Sequence, residues 1–150
     1  MKRFNNFDCK LVSTPFDLSL KLEKYIGEPV RQVEYARVIG CPMYAMCCTR
    51  SDIAFAVGKL SRYTSNPSHM HWHAVRRVFK YLKSSINYGL HYFGYPSMLE
   101  SFLDANWITN SEDHFSISGW IFTLGGVAVS WGSKKQTCIT DPTIAIEFAF

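Results

Sequence analysis

The sequence predicts an α+β chain: helices first, then a three-stranded antiparallel sheet and the start of one further helix. Three observations predict it. Apolar residues recur at three- and four-residue steps as far as Leu82, the signature of helices with one buried face. From Met98 the apolar period falls to two, the signature of strands. Gly125-Gly126 then separates two alternating runs, a favoured two-residue hairpin turn.

The elements follow in order. Residues 1–30 show little periodicity, are punctuated by Pro15 and Pro29, and read as a segment that wraps over something else. Residues 33–48 carry Val33, Ala36, Val38, Ile39, Met43, Ala45 and Met46 at helical spacing. Pro42 interrupts that pattern, and a break or kink is expected near Cys41, because a mid-helix proline costs about 3 kcal/mol. Thr49, with Asp52 three residues on, is expected to cap a second helix through Ile53, Phe55, Ala56, Val57 and Leu60 towards Tyr63. Asn66 as N-cap and Pro67 as first residue open a third helix, whose stripe is Trp72, Val75, Phe79 and Leu82. Ser84, Ser85 and Gly89 end it, and residues 88–93 suit a short strand. Residues 99–104 read as a strand, and residues 118–124 and 127–133 as a hairpin. A Gly-Gly turn sets Leu124 opposite Val127, Phe122 opposite Val129 and Trp120 opposite Trp131, with both tryptophans on one bulky face. A last helix is expected to begin near Thr143.

Charge divides the chain. Residues 1–100 hold fourteen Lys/Arg against seven Asp/Glu, and residues 101–150 hold two against five. Such a division fits ordinary surface charge, and also a phosphate-tracking surface joined to an acidic, metal-binding one. The five cysteines are odd in number and form no Cys-x-x-Cys pair, which argues against a disulfide framework or a zinc knuckle. Cys47 and Cys48 lie in an apolar stretch and read as small buried hydrophobes. The first residues lack the apolar core of a secretory signal, and no run approaches the roughly eighteen apolar residues of a membrane helix. The expectation is an intracellular protein, of cytoplasm or nucleus, with no membrane partner.

Several collinear motifs carry a resemblance. Residues 35–46 are followed by Thr49-Arg50-Ser51-Asp52 and by residues 60–67, then His71-Trp72 and Lys80-Tyr81-Leu82-Lys83. Together they resemble the tail of the reverse transcriptase in copia-type LTR retrotransposon Pol polyproteins, the plant members above all. Asp104-Ala105-Asn106-Trp107, Ser118-Gly119-Trp120, Ser130-Trp131 and Ser133-Lys134-Lys135-Gln136 resemble the start of the RNase H domain of the same polyproteins. The resemblance implies two regions: residues 1–95 from the thumb- or connection-like end of the reverse transcriptase, and residues 96–150 from a truncated RNase H-like sheet. It implies that Asp104 matches the first nuclease aspartate and Glu147 the glutamate of the following helix. It places the paired polymerase aspartates before this stretch and the third nuclease ligand after it. The sequence departs from the family pattern at Pro42, Ser51, Leu103, Pro142 and Ala145, a scatter of the kind that drift leaves.

The expected function is therefore a piece of a Pol polyprotein, derived from an RNA-directed DNA polymerase and RNase H, and inactive as it stands. Phosphodiester hydrolysis by two metals needs ions held about 3.5–4 Å apart. Magnesium, the cofactor of the parent family, binds through few carboxylates and keeps much of its water. Asp104 and Glu147 are expected to hold such an ion weakly and without productive effect. The other reading is a basic nucleic-acid-binding module without catalysis. Its residues are His73, Arg76, Arg77, Lys80 and Lys83, along one side of the third helix. Taken alone this row fits a solvated face better. The resemblance raises the binding reading, with an RNA–DNA hybrid or other nucleic acid as partner beside the remainder of the polyprotein. Five neutralised phosphates would give a log–log salt slope of about −4.5.

Two further clusters have plainer readings. His69, His71 and His73 alternate, so on a helix His71 leaves the side that the other two share, and surface or capping roles fit better than zinc. Trp120 and Trp131 read as core packing rather than base-stacking platforms.

Overall fold

The computed structural model describes residues 12–92, 94, 97–106 and 117–135. The chain divides into two compact units, Met1–Gly89 and Leu90–Phe150. The described residues form helices in the first and a three-stranded antiparallel sheet in the second. The mixed α+β class expected from the two periods is present.

In the first unit, α1 spans Gln32–Cys48, a 3₁₀ turn follows at Ser51–Ile53, α2 spans Ala54–Ser61 and α3 spans His69–Ser84. One core joins them, built from Tyr35, Val38 and Ile39 of α1, Ala56, Val57 and Leu60 of α2, and Val75, Val78, Phe79 and Leu82 of α3. Residues 12–31 have no regular structure, yet Phe16 and Leu22 are buried in that core. The segment is a strap laid over the helices, as its lack of periodicity and its two prolines suggest. Tyr63 fastens it by donating to the Leu22 carbonyl at 2.9 Å, and Trp72 Nε1 donates to the Val30 carbonyl at 2.9 Å.

Several expectations are corrected here. No break occurs at Pro42, because α1 runs through it. The proline ring is fully buried, and that apolar burial offsets the missing hydrogen bond. Thr49 caps the end of α1 rather than the start of α2, its N–H donating to the Ala45 carbonyl. Asp52 is drawn away from capping by Arg50 and Tyr81, described below. Asn66 does not cap α3 either. Its amide donates to the carbonyls of Tyr25 at 2.6 Å and Gly27 at 3.2 Å, pinning the strap. The N-cap is Ser68, and a histidine completes the capping box. Ser68 N–H donates to His71 Nδ1 at 2.9 Å, and His71 N–H donates to Ser68 Oγ at 3.4 Å. His71 thus takes the part that Glu or Gln usually plays at that position. Cys41, Cys47 and Cys48 are exposed: the buried stripe of α1 is Tyr35, Val38, Ile39 and Pro42, and the cysteines fall on its other side. Residues 88–92 form no strand.

In the second unit, β1 spans Leu99–Asn106, β2 Ile117–Leu124 and β3 Val127–Lys135, in the order β1-β2-β3. Gly125 and Gly126 have φ of 59° and 76°, the left-handed pair that a type I′ hairpin turn requires. Leu124 does pair with Val127, but a bulge between Phe122 and Thr123 moves the rest of the register by one. Phe122 faces Ser130, Ile121 faces Trp131 and Trp120 faces Gly132. The two tryptophans therefore lie on opposite faces, not on one, because side chains alternate along a strand and the bulge inserts one residue into β3. The last helix expected near Thr143 lies outside the described residues.

Candidate functional site

The cationic row lies on α3, and the sequence explains why that helix presents it. Val75, Val78, Phe79 and Leu82 are buried against α1 and α2, which turns the intervening positions outward. His73 and Arg76 are exposed, and Lys80 and Lys83 are half-buried, the burial expected of long cationic side chains beside an apolar stripe. Sixteen residues of helix run roughly 24 Å, about the length of several phosphate steps.

Arg77 belongs to the row by sequence but is engaged by the strap. Its Nε donates to the Thr14 carbonyl at 3.2 Å and its Nη2 to Thr14 Oγ1 at 2.8 Å. Its Nη1 reaches Asp17 Oδ2 at 3.4 Å. Of the five expected residues, His73 and Arg76 are thus exposed, Lys80 and Lys83 are half-buried, and Arg77 is bound by its own chain.

Of the two carboxylates, Asp104 sits on β1, where its backbone pairs with Gly119. Glu147 lies outside the described residues. Among the described residues no three His, Cys, Asp or Glu side chains gather as metal ligands. The three alternating histidines separate as a helix dictates: His71 is buried, and His69 and His73 are exposed.

The structure brings together a polar cluster that periodicity could not reveal. Arg50 is buried, with Nε on Asp52 Oδ1 at 2.9 Å and Nη2 on Asp52 Oδ2 at 2.7 Å. The same guanidinium donates to the Ser85 carbonyl at 3.1 Å and to Ser85 Oγ at 2.6 Å, across thirty-five positions of sequence. Tyr81 Oη donates to Asp52 Oδ2 at 2.7 Å. Burial alone would push the Asp52 carboxyl up, but the bonds from Arg50 and Tyr81 outweigh it and hold the group below its usual range. The bond to Asp52 likewise holds the Arg50 charge more firmly. This cluster ties the link between α1 and α2 to the end of α3. Its one signal in the sequence was the opposite charges two apart in Thr49-Arg50-Ser51-Asp52.

Two more titratable groups are buried. His71 stacks on Tyr63 with ring centroids 4.0 Å apart, and burial lowers its pKa. The Lys59 ammonium lies 4.9 Å from the Phe16 ring centroid and 5.7 Å from that of Phe55. Burial, and then Arg62, lowers its pKa.

Relatives extend over nearly the whole of this arrangement. The chain is 37% identical over 155 residues to a retrovirus-related Pol polyprotein from transposon TNT 1-94 of Nicotiana tabacum, covering 99% of this chain and 12% of that protein. It is 33% identical over 150 residues to the retrovirus-related Pol polyprotein from transposon RE2 of Arabidopsis thaliana, covering 99% of this chain and 10% of that protein. The chain belongs to the copia-type retrotransposon Pol polyproteins. It spans about a tenth of the length of these Pol relatives. The same Pol stretch is 41% identical over 111 residues to a protein of Plasmopara viticola named secreted RxLR effector protein 161, covering 73% of this chain and 78% of that protein. No protein-family model matches the chain. No solved structure matches it. Among the described residues no helix is long and apolar enough to cross a membrane. Both the α3 row and Asp104 thus lie in a segment that Pol polyproteins share.

Proposed function

We propose that this Pol segment derives from the junction of reverse transcriptase and RNase H, and that these 150 residues bind nucleic acid without cleaving it. The motif order supports the derivation. The reverse-transcriptase-like motifs fall on the helices of the first unit and the links between them, and the RNase H-like motifs fall largely on the sheet of the second. The observation that carries the binding reading is the outer side of α3, where His73, Arg76, Lys80 and Lys83 stand opposite a fully packed apolar face. An RNA–DNA hybrid is the preferred partner because its phosphate backbone is regular and the parent enzymes act on it.

Cleavage is not part of the proposal. Within these residues the resemblance supplies two carboxylates, Asp104 and Glu147. Holding two magnesium ions in line with an attacking water and a leaving oxygen takes more than that. Nor does weak binding of one ion lower a barrier by the roughly 8–23 kcal/mol that enzymes achieve.

The test is titration of a labelled 18-base-pair RNA–DNA hybrid at several salt concentrations. Three permanent cations, Arg76, Lys80 and Lys83, give an expected log–log slope of about −2.7. Reversing charge at Arg76 and Lys80 weakens binding and flattens the slope. Binding unchanged by that reversal would refute the assignment to α3.

A further inference from the structure

We propose that the strap carries a built-in competitor for phosphate, residues 14–17, which occupies Arg77 and keeps it out of the nucleic-acid-binding row. The inference rests on the α3 binding surface proposed above and assigns that surface its regulation.

The geometry is that of an anion clamp filled from within. Nε and Nη2 of Arg77, neighbours on the guanidinium fork, meet the two oxygens of Thr14, its carbonyl and its hydroxyl. Nη1 meets a carboxylate oxygen of Asp17. A phosphodiester would use the same donors in the same forked manner. Asp17 is set for the task by its own turn: Ser19 N–H and Ser19 Oγ donate to Asp17 Oδ1 at 3.1 and 2.7 Å, leaving Oδ2 for Arg77. The turn is anchored from within and from upstream. Phe16 is buried edge-to-face against Phe55, with ring centroids 5.7 Å apart. Upstream, Ser84 Oγ donates to the Val12 carbonyl at 2.8 Å. The strap thus holds one negative charge against the one arginine of the row that faces it, and leaves Arg76, the preceding residue, exposed.

A half-buried ion pair at 3.4 Å still reaches solvent and is weak, so the mask is one that a bound polyanion can push aside or that loosening of the strap can lift. It grades affinity rather than blocking it.

The test is a double-mutant cycle on the full chain, read by hybrid binding at 0.1 M salt. Asp17→Asn removes the charge and keeps an oxygen to accept the Ser19 bonds, so the turn survives. Binding tightens about two- to fivefold, the range that a displaced surface pair allows. Glu28→Gln removes an equal charge from the strap away from Arg77 and measures the nonspecific part of the gain. Arg77→Gln leaves the unmodified chain close to its original affinity, and Asp17→Asn adds nothing further in the Arg77→Gln background. A gain from Asp17→Asn no larger than that from Glu28→Gln, or one that persists without Arg77, overturns the mask while the binding surface stands. Absence of binding by the unmodified chain and by Asp17→Asn alike overturns both.

Discussion

Trp120 lies directly across Gly132: a Cβ added at Gly132 would run into the Trp120 ring. The two residues are register partners on β2 and β3. The ring occupies the place that a side chain at position 132 would take, so glycine there is a packing requirement. Gly132→Ala is expected to destabilise the sheet by about 1–3 kcal/mol, the usual cost of forcing an extra carbon into packed space. Denaturant unfolding followed by tryptophan fluorescence checks it. An unchanged midpoint would mean that the ring moves aside freely.

The clamp at Asp52 sets a second expectation. Asp52→Ala leaves the buried Arg50 guanidinium without its carboxylate. The cost for fully buried pairs is about 3–5 kcal/mol, and about 2 kcal/mol is expected here because Asp52 keeps 33% of its side chain in water. Tyr81→Phe removes the third partner, and the two substitutions are expected to couple rather than add. Unfolding midpoints of the two single variants and the double variant decide it.

The pH dependence of stability has two limbs. His71 is held neutral by burial, so its folded pKa lies below the unfolded value of 6.5. Its contribution is full above about pH 6.5 and is lost as pH falls through the folded value. Protonation also removes the lone pair on Nδ1 that accepts the Ser68 N–H. His71→Gln keeps a capping-box acceptor without a titrating ring, and is expected to flatten stability between pH 7.5 and 5.5. Asp52 is likewise depressed, from 3.8, so its contribution persists above about pH 4 and is lost only in stronger acid. Melting temperatures followed from about pH 7.5 down to about pH 2 separate the limbs.

Purified chain incubated with an RNA–DNA hybrid and magnesium or manganese is expected to release no product above a protein-free control. Sustained cleavage that disappears in Asp104→Asn would contradict the proposal of binding without catalysis.

Much of the architecture was legible because periodicity reports directly on which face of an element is buried. The α3 stripe, the two glycines of the hairpin and the unperiodic strap all follow from that rule. The misreadings share a cause. Pro42, Thr49 and Asn66 were judged by local rules of helix breaking and capping, and in each case packing that those rules leave out changed the balance. The core took the proline ring, Arg50 and Tyr81 took Asp52, and the strap took Asn66. The hairpin register failed for a related reason: a single bulge, invisible in alternation, turned Trp120 and Trp131 to opposite faces.

By itself, the amino-acid order determined most element types, the placing of the α3 cations on the side away from its apolar stripe and kinship with Pol polyproteins, because propensity, periodicity and motif spacing are short-range properties. Tertiary structure alone decided that Arg50 meets Ser85, that His71 caps α3 and that Arg77 is held by Thr14 and Asp17. Those partners stand far apart in sequence or depend on burial, and only chain packing sets the distances and desolvation that make one partner win over another.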